Sequence, residues 1–268
     1  MLRSFLAALG CAVLASAASA QPSPADRVVV EYVQPANPAH KPLHDLVKEN
    51  QGLERVREVL LPIRWPRTLR LQLKGCDGEA NAWYEESTVT VCYELLEEQW
   101  KKANDRRRPA SMTREDAFGG PFADVFLHES SHALFDMLKI PVLGREEDAA
   151  DQVAAYHMLQ FPKDRKYSLI VGAAYAYARE LKVRNAHDLF RPRLKMANYE
   201  SFADEHGTQA QRLYNLLCLA YGSDKQLFAG IAEKQYLPKD RLERCEDEYR
   251  QVDFAYRTLI GPHRDSGP

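Results

Sequence analysis

The chain has little that would commit it to nucleotides, nucleic acid or lipid. Its 268 residues contain no glycine-rich phosphate loop, no Gly-x-Ser-x-Gly elbow, no internal repeat and no long Gly/Ser linker. P-loop phosphoryl transfer and the common serine-hydrolase arrangement are thereby removed. An excess of one charge is missing too, since 36 Lys and Arg stand against 38 Asp and Glu, so neither a nucleic-acid footprint nor attraction to an anionic membrane follows. No apolar run reaches the roughly 20 residues of a membrane-spanning helix. The longest candidate, residues 169–178, is rich in small side chains and reads as a buried helix. Cysteine is scarce, and no C-x-x-C spacing supports a cysteine-bound zinc.

What is present begins with an N-terminal address. Met1-Leu2-Arg3 is short and positive, residues 5–14 are apolar, and Ala18-Ser19-Ala20 forms an A-x-A cleavage site. Together they read as a secretory signal peptide over residues 1–20, which implies a periplasmic or secreted protein starting at Gln21. A lipid anchor at Cys11 is the weaker reading, because Ala8-Leu9-Gly10 departs from a lipobox. Four cysteines then remain, Cys76, Cys92, Cys218 and Cys245. In an oxidising compartment they imply two disulfides, and three pairings are possible. The local pairs Cys76–Cys92 and Cys218–Cys245 are preferred because each brackets one supersecondary unit. Residues 21–268 have room for one domain, with an upper sheet lobe over about 21–138 and a lower helical lobe over about 139–260.

The chemistry is carried by His128-Glu129-Ser130-Ser131-His132, an H-E-x-x-H sequence inside a helical pattern. Phe122, Val125, Phe126, Leu134 and Met137 recur every three or four residues, so one face is apolar while the two histidines share a neighbouring face one turn apart. Gly119-Gly120-Pro121 reads as the start of this helix, which stops before Pro141. Neutral imidazoles in that register suit Zn2+, and a catalytic zinc takes three protein ligands and keeps one position open. Phe135 and Leu138 stand where the longer H-E-x-x-H-x-x-G-x-x-H pattern would have glycine and its third histidine. The third ligand is sought instead in Glu147-Asp148-Ala149-Ala150-Asp151. A turn at Leu143-Gly144-Arg145 would let a second helix, starting near Glu146, run back and bring Glu147 to the metal. Asp151, one turn later, would then take the N–H of a ligating imidazole. Glu129 is the general base on the attacking water.

This pairing resembles the gluzincin metallopeptidases, and E-x-x-A-D is similar to the version in CAAX-type and heat-shock zinc proteases. A closer resemblance is to a family of exported bacterial metallopeptidases of unknown function, through NAWY and CYELL at 81–96, HESSHALFD, PVLGREEDAADQ, the 204–222 segment and LPKDRLERCEDEY at 237–249. The resemblance implies a zincin-like α+β fold: a small, mostly antiparallel sheet over the H-E-x-x-H helix, with a helical C-terminal lobe. Asn81-Ala82-Trp83-Tyr84 is similar to the N-A-x-Y edge of neprilysin-type enzymes, which implies that Asn81's amide and Ala82's carbonyl hold a peptide or protein substrate as an added strand. The same likeness implies that His206, in Asp204-Glu205-His206-Gly207, stabilises the oxyanion, and gives Arg212 a lesser claim. Helix capping explains Asp204 and Glu205 equally well. The competing class is an exported, non-catalytic protein whose zinc site is structural or vestigial.

The rest reads as strands at 28–33, 68–73 and 88–92, helices at 43–61 with a weak point at Gln51-Gly52, 93–103, 167–182, 209–222 and 237–256, and a loose tail after Gly261. Residues 101–115 are a polar connection whose Arg106-Arg107-Arg108 run is a solvated loop rather than a binding patch or a processing site, and a loop over residues 103–119 would cover the cleft.

Overall fold

A computed structural model describes residue 23 and residues 26–105, 108–181 and 203–265. The signal peptide, Arg106, Arg107 and the 185–202 part of the charged connection lie outside the described residues. Four strands come first, β1 (Val28–Tyr32), β2 (Leu69–Lys74), β3 (Ala82–Glu85) and β4 (Thr88–Cys92), and they form one sheet in the order β1-β2-β4-β3. In β2 the side chains of Leu69, Leu71 and Leu73 are fully buried, while Arg70 and Gln72 reach across to Glu31 on the other face. That period of two puts the helices on one side of the sheet.

The sheet is mixed, which corrects the expectation of mostly antiparallel strands. β1 pairs parallel with β2, and β2 parallel with β4. The first parallel pair requires a crossover, supplied by α1 (Lys41–Glu49) and α2 (Gly52–Leu60), between which Gln51 takes a left-handed φ of 53°. Only β3 runs antiparallel, folded back on β4 by a two-residue turn in which Glu86 and Ser87 both have positive φ. β3 is therefore an edge strand.

From β4 the chain passes into α3 (Tyr93–Ala103) and then α4 (Arg114–Leu138). The latter starts earlier than its glycine-proline sequence indicates. Thr113 caps it, its hydroxyl accepting from Asp116 N–H while the Asp116 carboxylate accepts from Thr113 N–H, and Pro121 falls inside the helix. Residues 114–119 accordingly belong to α4 and are no part of a covering loop. Gly120 is needed for packing, since a Cβ there would lie 2.3 Å from the backbone nitrogen of Ala173 on α6 (Lys163–Glu180). Lys139 ends α4 in a left-handed conformation, Gly144 turns the chain at φ +100°, and α5 (Glu146–Leu159) packs back along α4.

After the gap, α7 (Gln209–Ser223) starts on a Thr208/Gln211 capping box, and the short α8 (Ala229–Glu233) and α9 (Lys239–Leu242) lead to α10 (Cys245–Leu259). The expected helix over 237–256 is thus two helices. Disulfides join Cys76 to Cys92 and Cys218 to Cys245. The expected loose tail is also corrected as far as Asp265. Arg264 bridges Ile63, Arg64 N–H donates to the His263 carbonyl at 2.7 Å, and Asp265 N–H donates to the Pro62 carbonyl at 2.7 Å. Among the described residues no helix is long and apolar enough to cross a membrane.

Candidate metal centre

α4 delivers His128 and His132 one turn apart, and the two intervening serines let it do so in a dry interior. Ser130 and Ser131 are completely buried, and each hydroxyl donates to the carbonyl four residues earlier, Phe126 and Leu127, at 2.6 and 2.7 Å. Neither serine leaves a buried hydroxyl unpaired on the histidine helix. α5 brings Glu147 opposite them. Its Oε2 lies 3.0 Å from His128 Nε2, its Oε1 lies 3.5 Å from His132 Nε2, and the two imidazole Nε2 atoms are 3.3 Å apart. His206, just ahead of α7, joins the same carboxylate, its Nε2 being 2.9 Å from Glu147 Oε2. Ligand atoms of His128, Glu147 and His206 all fall within 4.8 Å of one another and could hold a metal ion.

The far side of each imidazole is held as well. His128 Nδ1 meets Asp151 Oδ1 at 2.8 Å, and Asp151 in turn accepts from Arg212 Nε at 2.7 Å. His132 Nδ1 meets Glu146 Oε1 at 2.8 Å, a contact the sequence reading did not assign. His206 Nδ1 lies 3.4 Å from Asp204 Oδ1, which also accepts the His206 backbone N–H at 2.9 Å. A carboxylate on Nδ1 fixes the tautomer that leaves Nε2 facing inward.

These contacts set the charges. Burial works against a charged His128, but hydrogen bonds to Asp151 and Glu147 outweigh it and lift the imidazole to about 10. The His128 hydrogen bond pulls Glu147 down to about 2. A cation bound between the pair would compete with a proton for the same atoms. Asp151 is lowered because its bonds to His128 and Arg212 overcome its burial. Glu129 goes the other way: burial raises it, and it keeps its place on the wall of a cleft of about 650 Å³.

That cleft runs between α4 and the edge of the sheet, with Asn81, Ala82, Trp83 and Tyr84 on one wall and Asp124, Val125 and Tyr177 beyond the histidines. Cys92 N–H donates to the Asn81 carbonyl at 3.0 Å, and Ala82 faces Val91 across the ladder. By the alternation of antiparallel pairing, the Ala82 carbonyl points away from β4 and is available to another strand. Asn81's own amide is engaged locally, with Glu79 at 3.0 Å and Ala82 N–H at 2.9 Å. Tyr84 anchors the edge to α4 through Asp136 at 2.8 Å. At the inner end Tyr177 donates to Asp124, whose carboxyl is raised by burial, while the Arg212 guanidinium lies 4.9 Å from the Tyr177 ring centre.

A family model described as "Putative metallopeptidase" matches residues 32–260. The chain belongs to this family. A metallopeptidase implies a metal and a peptide or protein substrate, and the match runs from the last residue of β1 through α10, so every group of the centre lies within it. No curated protein and no solved structure shows significant similarity to the chain. Of the groups that line this centre and its cleft, Glu146 and Tyr177 carried no signal in the sequence reading. Glu146 adjoins the chosen ligand on the helix, and Tyr177 lies in a segment read only as core.

Proposed function

We propose that the protein is a zinc-dependent peptidase acting outside the cytoplasm, with His128, His132 and Glu147 as the metal ligands and Glu129 as general base. The observation that carries this reading is the carboxylate of Glu129 on the cleft wall, beside three imidazoles gathered on Glu147 and across from a free sheet edge. The donor set suits the ion. Ligands 2.0–2.1 Å from a tetrahedral zinc lie about 3.3–3.4 Å from one another, and the three contacts among His128, His132 and Glu147 run from 3.0 to 3.5 Å. Zinc bound there would polarise a carbonyl and make water acidic enough to be deprotonated near neutrality.

The chain's own residues do the remaining work. The Ala82 carbonyl accepts a substrate backbone N–H and lays the peptide along β3. Glu129 takes the proton of the attacking water and returns it to the leaving amine, a transfer that its raised affinity for protons favours. His206 stands where a donor to the developing oxyanion is needed. Asp151 and Glu146 hold the two α4 imidazoles in place from behind, with Arg212 bracing Asp151. The two disulfides fit an exported protein, which supports the extracytoplasmic part of the proposal.

Glu129→Gln tests the role of the base while keeping shape. Zinc content should stay near that of the wild type, and cleavage of a mixed peptide library should fall by about 10²-fold or more. If the zinc-loaded wild type cleaves nothing beyond what Glu129→Gln cleaves, the protein is a metal-holding scaffold and the peptidase reading is wrong.

A further inference from the structure

His206 is surrounded as His128 and His132 are. Each of the three has Nδ1 turned to a carboxylate (Asp151, Glu146 and Asp204 respectively) and Nε2 turned to Glu147. His206 makes the closest of the three approaches to that carboxylate, at 2.9 Å, and its ring stacks on that of His128 with the planes 23° apart. A histidine placed only to donate to an oxyanion would need neither a partner that frees its Nε2 lone pair nor an approach to a ligand atom at the spacing of neighbouring ligands. We infer that His206 is a fourth protein ligand of the metal in the resting protein, filling the position that a catalytic site leaves to water, and that it gives that position up to water when a peptide enters the cleft.

Departure is mechanically open to His206 and closed to the other two. Its side chain is 47% exposed against 5% for His128 and 14% for His132. The backbone hydrogen bond to Asp204 is local to the segment, so the imidazole can swing without moving α4 or α5. Once off the metal its exposed Nε2 can take a proton from solvent, and as an imidazolium beside the reacting carbonyl it can donate to the oxyanion, which reconciles ligation at rest with that role during turnover. The inference rests on the zinc reading above but not on hydrolysis, since a site closed by four protein ligands is equally what a structural zinc would use.

The test counts ligands directly. Zinc-edge X-ray absorption on the loaded full-length protein should fit three imidazoles in the wild type and two, with an added light oxygen scatterer, in His206→Ala. Affinity, read by competition with a chromophoric chelator, should fall by roughly tenfold or more, because a direct ligand counts at least as much as an outer partner, whose loss typically costs about 10- to 100-fold. His206→Gln should restore neither the third imidazole nor the affinity. Two imidazoles in the wild type, with an affinity unchanged in His206→Ala, would overturn the inference. A wild type that takes up no zinc sinks this inference together with the zinc reading. Three imidazoles with no peptide cleavage would uphold His206 as a ligand while refuting the peptidase.

Discussion

Three imidazoles meeting one carboxylate make Glu147 the residue on which the centre depends, and its neighbours can be ranked around it. Glu147→Ala should abolish measurable zinc retention in a chelator competition, while Asp151→Ala and Glu146→Ala should weaken it by about 10- to 100-fold each. Glu146 belongs at the lower end of that range, because its side chain is 53% exposed where that of Asp151 is 16% exposed. A larger loss for Glu146→Ala than for Glu147→Ala would show that the two have been assigned the wrong way round. The sequence made Glu147 and Asp151 legible because four residues on a helix share a face. It hid Glu146, which meets the back of a different imidazole, that of His132, and it brought in His206 only through the resemblance, because the approach of that residue to Glu147 depends on how α7 docks and not on any spacing.

Among the elements, β3 and α4 show what local patterns can and cannot give. The turn at Glu86-Ser87 holds two residues at positive φ without a glycine or asparagine, so no turn signature marks the hairpin, although the resemblance of Asn81–Tyr84 implies the sheet edge that this hairpin creates. For α4 the Thr113-x-x-Asp116 cap was present to be read. Gly119-Gly120-Pro121 competed with it, and tertiary packing of Gly120 on α6 resolved the competition. The connection leading into the edge strand is tied to β4 by Cys76–Cys92, and the strand itself is held to α4 by Tyr84. Replacing both Cys76 and Cys92 with alanine opens a loop of 16 residues and should cost about 3 kcal/mol of stability in urea unfolding. Tyr84→Phe should leave zinc affinity unchanged and raise KM for peptides more than it lowers kcat, because it loosens the wall and not the metal. An unchanged KM would mean that β3 does not carry the substrate.

For the molecule as a whole, the strand order lies beyond any local pattern: two parallel pairs and one antiparallel pair follow from which helices cross over, and alternation within a strand reports only its faces. Global stability carries a pH signature of its own, at a residue that does not line the cleft. His157 is buried against Tyr256, its Nε2 2.7 Å from the hydroxyl, and burial together with Arg264 holds its imidazole down to about 3. The unfolded chain binds that proton near 6.5, so below pH 6.5 the unfolded state holds more protons than the native one. The contribution of this residue is whole above pH 6.5 and is lost as pH falls toward 3, at no more than about 1.4 kcal/mol per pH unit. Urea midpoints of the wild type should therefore fall between pH 6.5 and 5 more steeply than those of His157→Gln. Parallel slopes would place the acid sensitivity elsewhere.

The pairing of residues 263–265 with residues 62–64 has a consequence in time. A chain that emerges N-terminus first has Cys76 and Cys92 available as soon as the hairpin is out, whereas the approach to β2 waits for the last residues to arrive. Oxidation is then ordered, the first bond closing on a nascent chain and the Cys218–Cys245 bond only near completion. Nascent chains stalled at residue 200 should already carry the first bond, yet remain open to proteolysis around Pro62 until release lets the C-terminus come home.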